Sequence, residues 1–112
     1  MNKTGTCETF ADPRVNMRAL LLDRETAPTL GAWVGTEGYD KFSIHVVKGS
    51  GTTLSAQAYV SNEPSPAVDG GVAYGSPVAA SAYIEIKAPY RWIRMAAPTL
   101  SGGVVSAYLE AV

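Results

Sequence analysis

From residue 39 onward the chain repeatedly alternates apolar and polar positions with a period of two, the spacing of a strand with one buried face. In residues 39–48, Phe42, Ile44 and Val46 fall on one side, and Lys41, Ser43 and His45 on the other. Residues 53–60 repeat the pattern, with Leu54, Ala56, Ala58 and Val60 opposite Ser55, Gln57 and Tyr59. Gly49-Ser50-Gly51 between them is a hairpin signal, so these two runs are expected to pair. Residues 81–112 hold three further extended runs filled with Tyr, Ile, Val and Trp. Ala88-Pro89 separates the first two and Ser101-Gly102-Gly103 the last two, as in antiparallel strands connected by hairpins. In the middle run, parity sends Ile93 and Met95 to the core and Trp92 and Arg94 to the outer face.

Upstream the signal is weaker. Residues 17–23 are apolar enough for a buried strand; Val15, Ala19 and Leu22 would also line one side of a short helix, and strand is the preferred reading. Pro28 and Gly31 break the chain before a short extended piece at Ala32, Trp33 and Val34. Residues 1–16 show neither period and read as an N-terminal extended arm, leaving residues 17–112 as one β domain. Residues 61–78, punctuated by Pro64, Pro66, Asp69-Gly70-Gly71 and Pro77, read as a single long loop, either an ordered contact surface, as loops of that length in compact domains often are, or a mobile excursion, which composition does not separate. The sum is six or seven strands in an all-β, antiparallel two-sheet sandwich or jelly roll carrying the arm.

Composition changes this picture in one respect. Charged residues make up only 17% of the chain, below the roughly 25% of an average globular protein, so part of the surface is expected to meet a partner. A formal charge of -1 provides no basic face for nucleic acid or anionic lipid, and neither partner is expected. Cys7 is the single cysteine and forms no internal disulfide, compatible with assembly in a reducing compartment. The first residues lack the apolar run of a signal peptide, and no stretch is long and apolar enough to span a membrane.

Residues that could carry chemistry are few. His45 is the only histidine and lies on the polar side of its strand, so a metal site or a nucleophilic relay would have to be built around one imidazole. Cys7 has no helix start or basic cluster beside it to stabilise a thiolate. Glu8 with Asp12, and Glu85 with Glu110, read as solvated surface acids rather than as an acid and base in a pocket. No glycine pattern of the phosphate-binding kind is present. The expectation is a protein with no enzymatic activity, no metal and no cofactor. Aromatic side chains remain as the means of contact. Trp92 on the outer face beside Arg94 makes a plausible contact point through stacking or cation-π attraction. Trp33 and Tyr74 could join it on an exposed platform of the kind that binds sugars.

The order Gly38-Tyr39-Asp40 before a strand, Ala56-Gln57-Ala58-Tyr59-Val60-Ser61-Asn62 leaving another, Pro89-Tyr90-Arg91-Trp92-Ile93-Arg94, and a Gly-Gly turn into a terminal strand resembles small β-sandwich virion proteins of tailed bacteriophages. The resemblance covers about two thirds of the chain, from Tyr39 to Val112. It implies a structural virion protein, foremost a capsid decoration (cement) subunit on the outside of a phage head, assembled in the host cytoplasm. Its partner would be the major capsid protein or another virion protein, and it would form a homo-oligomer, with a trimer favoured. The arm, through Phe10 and Val15, the 61–78 loop, and Trp33, Tyr74, Trp92 and Arg94 are the candidate contact residues. The alternative is a carbohydrate-binding or tail- and fibre-associated β-sandwich module.

Overall fold

The computed structural model describes residues 17–112; Cys7, Glu8, Phe10, Asp12 and Val15 lie outside them, with the rest of the expected arm. Among the described residues there are nine strands: β1 (Met17–Glu25), β2 (Thr29–Leu30), β3 (Val34–Gly35), β4 (Phe42–Lys48), β5 (Thr53–Ser61), β6 (Val72–Val78), β7 (Ala82–Ile86), β8 (Trp92–Ser101) and β9 (Val105–Ala111). All pairings are antiparallel. One sheet has the order β1-β9-β4-β7, the other β2-β8-β5-β6, and β3 also pairs with β8. Since β2 meets Ala96 and Ala97 of β8 and β3 meets Trp92 and Ile93, the two short strands are halves of one broken strand. Counted so, eight strands wind back and forth between two sheets, and only β5 to β6 stays within a sheet. That is a jelly roll.

The parity read from the sequence holds. Phe42, Ile44 and Val46 of β4, Leu54, Ala56, Ala58 and Val60 of β5, and Ile93 and Met95 of β8 are all buried between the sheets. Val105, Ala107, Leu109 and Ala111 of β9 complete the layer. Small alanines stand among Ile, Leu and Met, so the two inner faces interdigitate.

The pairing expected between neighbours in the chain does not hold. β4 and β5 belong to different sheets, and the turn carrying Gly49-Ser50-Gly51 is a crossover from one to the other. Likewise β7, β8 and β9 do not pair with one another: β7 lies on β4, β8 on β5, and β9 between β1 and β4. The two Gly-rich crossovers pack together at one end, where Gly49 N donates to Val104 O at 2.9 Å. Gly102, at φ 80°, would bring an added Cβ to 2.9 Å from Gly51 O, so the close approach requires glycine there.

A second correction concerns residues 61–78. Only 62–71 is loop; Val72–Val78 is an edge strand on β5 despite Gly75 and Pro77. An edge tolerates proline because its outward N–H has no ladder partner to lose. Between Ala56↔Val78 and Ala58↔Tyr74 the register slips, bulging β6 outward at Gly75 (φ 71°). The buried Gln57 amide fills that bulge, donating to Tyr74 O at 2.9 Å and Gly75 O at 3.2 Å.

Bulges also explain β1. The pairs Ala107↔Leu22 and Tyr108↔Leu20 leave Leu21 as an extra residue, and Leu21 and Leu22 are both buried. This is why the leucine run showed no clean alternation.

Candidate functional site

Two outer surfaces carry the side chains that chemistry or recognition could use. On the first sheet, register aligns Leu20 (β1), Tyr108 (β9), His45 (β4) and Tyr83 (β7) in one row straight across the outer face. His45 stacks on Tyr83, with ring centroids 4.2 Å apart and planes 13° from parallel, while Tyr108 is tilted at 6.4 Å. The imidazole is half-buried between the two phenols, yet Leu20, Tyr83 and Tyr108 are exposed by 47%, 70% and 47%. Each apolar body therefore meets water on the sheet face. The adjacent row is Arg18, Glu110, Ser43 and Glu85. Here Arg18 Nε meets Glu110 Oε2 at 3.1 Å, and Lys87 Nζ lies 3.7 Å from Glu85 Oε1. Both ion pairs are solvated and contribute little to stability. Between the rows lies an open depression of about 620 Å³ floored by Ser43, His45 and Leu109 and flanked by Leu20, Tyr83 and Tyr108. Glu85 and Glu110 stand on either side of Ser43, each across one strand spacing, rather than facing one another.

On the second sheet the outer face is closed. Arg94 is 1% exposed, its guanidinium carbon 4.9 Å from the Trp33 ring centroid and 4.4 Å from that of Tyr59. Both distances are within cation-π range. The 62–71 loop covers this layer: Trp33 Nε1 donates to Ala67 O at 2.7 Å and Arg94 Nη2 to Gly70 O at 2.8 Å. At its root, Asn62 Oδ1 accepts from Arg91 N at 2.8 Å. Gly71, at φ 92°, lies so close beneath the Trp33 indole that an added Cβ would collide with it. Burial lowers the Arg94 pKa from its ordinary value, with Tyr59 and then Asp69 acting in the opposite direction. Arg94 Nε and Nη1 find no hydrogen-bond partner among the described residues.

The residues expected to make contacts are thus dispersed. Arg94 is buried under the loop, and the half-buried Trp33 is tied to it. Tyr74 is half-buried, packed against the core and edge-on to Tyr90 at 6.2 Å. Trp92 is half-buried as well, and the rings beside Arg94 are those of Tyr59 and Trp33, not Trp92. Phe10 and Val15 lie outside the described residues. Of the exposed apolar row Leu20, Tyr83 and Tyr108, the two tyrosines were reachable by strand parity, since Tyr83 alternates against Ile84 and Tyr108 against Leu109, while Leu20 was hidden by the bulge at Leu21. Their alignment needed the register of strands far apart in the chain. Among the described residues no three His, Cys, Asp or Glu side chains gather as a metal-binding group.

No protein-family model and no curated protein matches the chain. Its fold is similar to that of the SPBc2 prophage-derived protein YomS in the crystal, with a TM-score of 0.67 at 12% sequence identity over 86% of this chain and 92% of that one. At that identity the likeness is one of fold.

Proposed function

We propose that this chain is a structural virion protein, a capsid decoration (cement) subunit that binds the outside of a phage head and stabilises contacts between shell subunits. The fold likeness to a prophage-derived protein over most of both chains supports a phage origin. The observation that carries the contact role is the exposed row Leu20, Tyr108 and Tyr83 on the first sheet, flanked by Arg18 and Glu110. Apolar surface covered there by the major capsid protein contributes about 25 cal/mol per Å², and the charged row beside it orients the contact. The protein works by what its outer face covers, without catalysis, and reaches the particle during assembly in the host cytoplasm.

The test is attachment. Mass spectrometry of purified particles should detect the chain, and purified chain should re-bind particles stripped of it. The variant Tyr108→Asp, exposed and outside the core, should keep the native circular dichroism spectrum and lose attachment. Equal occupancy by wild type and variant, or absence of the chain from purified particles, would overturn the reading. Binding to host glycans in place of particles, lost in the same variant, would replace it with the carbohydrate-binding alternative.

A further inference from the structure

We infer that two copies of this chain pair through β7, edge to edge, so that their first sheets join into one continuous eight-stranded sheet about a two-fold axis at Ile84. A sheet edge presents unpaired N–H and C=O groups, and natural proteins blunt such edges with bulges, prolines, positive-φ residues, charges or very short strands. Among the described residues the two sheets have four edges, and three of them are blunted. β1 slips register twice against β9, holds Arg24 at φ 51° and carries Arg18, Asp23, Arg24 and Glu25. β6 is bulged at Gly75 and contains Pro77. β2 and β3, at the other edge of the second sheet, have only two residues each.

β7 has none of these devices except one charge. Its five residues, Ala82 to Ile86, hold an unbroken register with β4 and include neither glycine nor proline. Both of its faces leave apolar side chains open at the rim. Ile84 packs on the core yet is only half-buried, and Tyr83 on the opposite face is 70% exposed. A second β7 would cover both.

Strand length and the remaining charge together select the register: centring on Ile84 pairs all five residues of the strand, whereas centring on Tyr83 pairs only three. Antiparallel pairing centred on Ile84 sets Ala82 opposite Ile86, Tyr83 opposite Glu85 and Lys87 opposite Ser81 of the other copy, with no like charges face to face. Centring on Glu85 would oppose two carboxylates, which is destabilising. With the other edges blunted, a head-to-tail ring has no second edge to use, so the edge contact is a self-complementary two-fold one in place of the trimer expected from the resemblance. Nothing in this depends on where the protein resides.

Sedimentation equilibrium of the full purified chain should show a reversible dimer. Tyr83→Glu places a carboxylate opposite Glu85 twice per dimer and should raise the dissociation constant about tenfold or more. Tyr83→Lys removes the same ring but puts an ammonium there, and should leave dimerisation intact. In a Cys7→Ser background, Ile84→Cys places two thiols across the axis, at about 4.5–5.5 Å between Cα atoms, and should cross-link on mild oxidation. A monomer at all concentrations, a dimer indifferent to Tyr83→Glu, or dissociation by both Tyr83 variants would overturn the inference. If Ile84→Cys is poorly folded, the two exposed Tyr83 variants still decide it.

Discussion

Replacing Arg94 by Met tests whether the buried guanidinium stabilises the fold or only fastens the loop. In its favour stand one charge-assisted hydrogen bond to Gly70 O, about 1.5–3 kcal/mol, and two ring contacts at about 0.5–2 kcal/mol each. Against it stand two N–H groups withdrawn from water with no partner among the described residues, about 1–3 kcal/mol each. The two sides are of equal order, roughly 2.5–7 against roughly 2–6 kcal/mol, so the net is small. Methionine has similar reach, and its sulfur recovers about 0.3–1.5 kcal/mol per ring contact with Trp33 or Tyr59. Arg94→Met should therefore change the free energy of unfolding by less than about 1.5 kcal/mol, in keeping with other buried charges replaced by apolar side chains. The loop loses its Gly70 anchor all the same. Urea unfolding gives the first quantity, and hydrogen exchange at residues 69–71 the second, where exchange should accelerate about tenfold to a hundredfold on the loss of one anchoring bond of about 1.5–3 kcal/mol. A stability loss above about 3 kcal/mol with unchanged exchange in the loop would refute the reasoning, because it would make the charge a net stabiliser of the whole sandwich.

Two further substitutions probe the frame around it. Ile44→Ala, at a fully buried centre of β4, should cost about 2–5 kcal/mol in urea unfolding without changing the surface. Gly71→Ala combines a positive φ with a collision against the Trp33 indole; it should destabilise by at least about 1–2 kcal/mol and alter the tryptophan emission as Trp33 is displaced.

Alternation along each strand was legible because it reflects a local fact, that successive side chains point to opposite faces. It named the core positions Phe42, Ile44, Val46, Ile93 and Met95 correctly. Pairing was not legible, since a crossover between sheets and a hairpin within one use the same Gly-rich turns, and the choice at Gly49-Ser50-Gly51 is made by the whole winding. The Leu20-Leu21-Leu22 run blurred because a bulge turns two adjacent residues inward. β6 was hidden by Gly75 and Pro77, which read as loop chemistry but sit at an edge that accepts them. Trp33 and Arg94 looked free for contact, and the 62–71 loop buries Arg94 and holds the half-buried Trp33 through Ala67 O, 34 positions away. Conversely, Tyr83, His45 and Tyr108 meet only through pairings of widely separated strands.

The placement of β9 between β1 and β4 governs how this polypeptide is made. Of the nine described strands it leaves the ribosome last, yet it is an inner member of its sheet, so β1 waits without a neighbour and β4, paired on its other side with β7, keeps one rim open until synthesis is nearly complete. Closing the sheet joins Arg18 to Glu110, 92 positions apart, a long-range step that slows folding. Nascent or prematurely terminated chains thus hold two open strand rims and a bare apolar layer, and are the species that would recruit chaperones or clump.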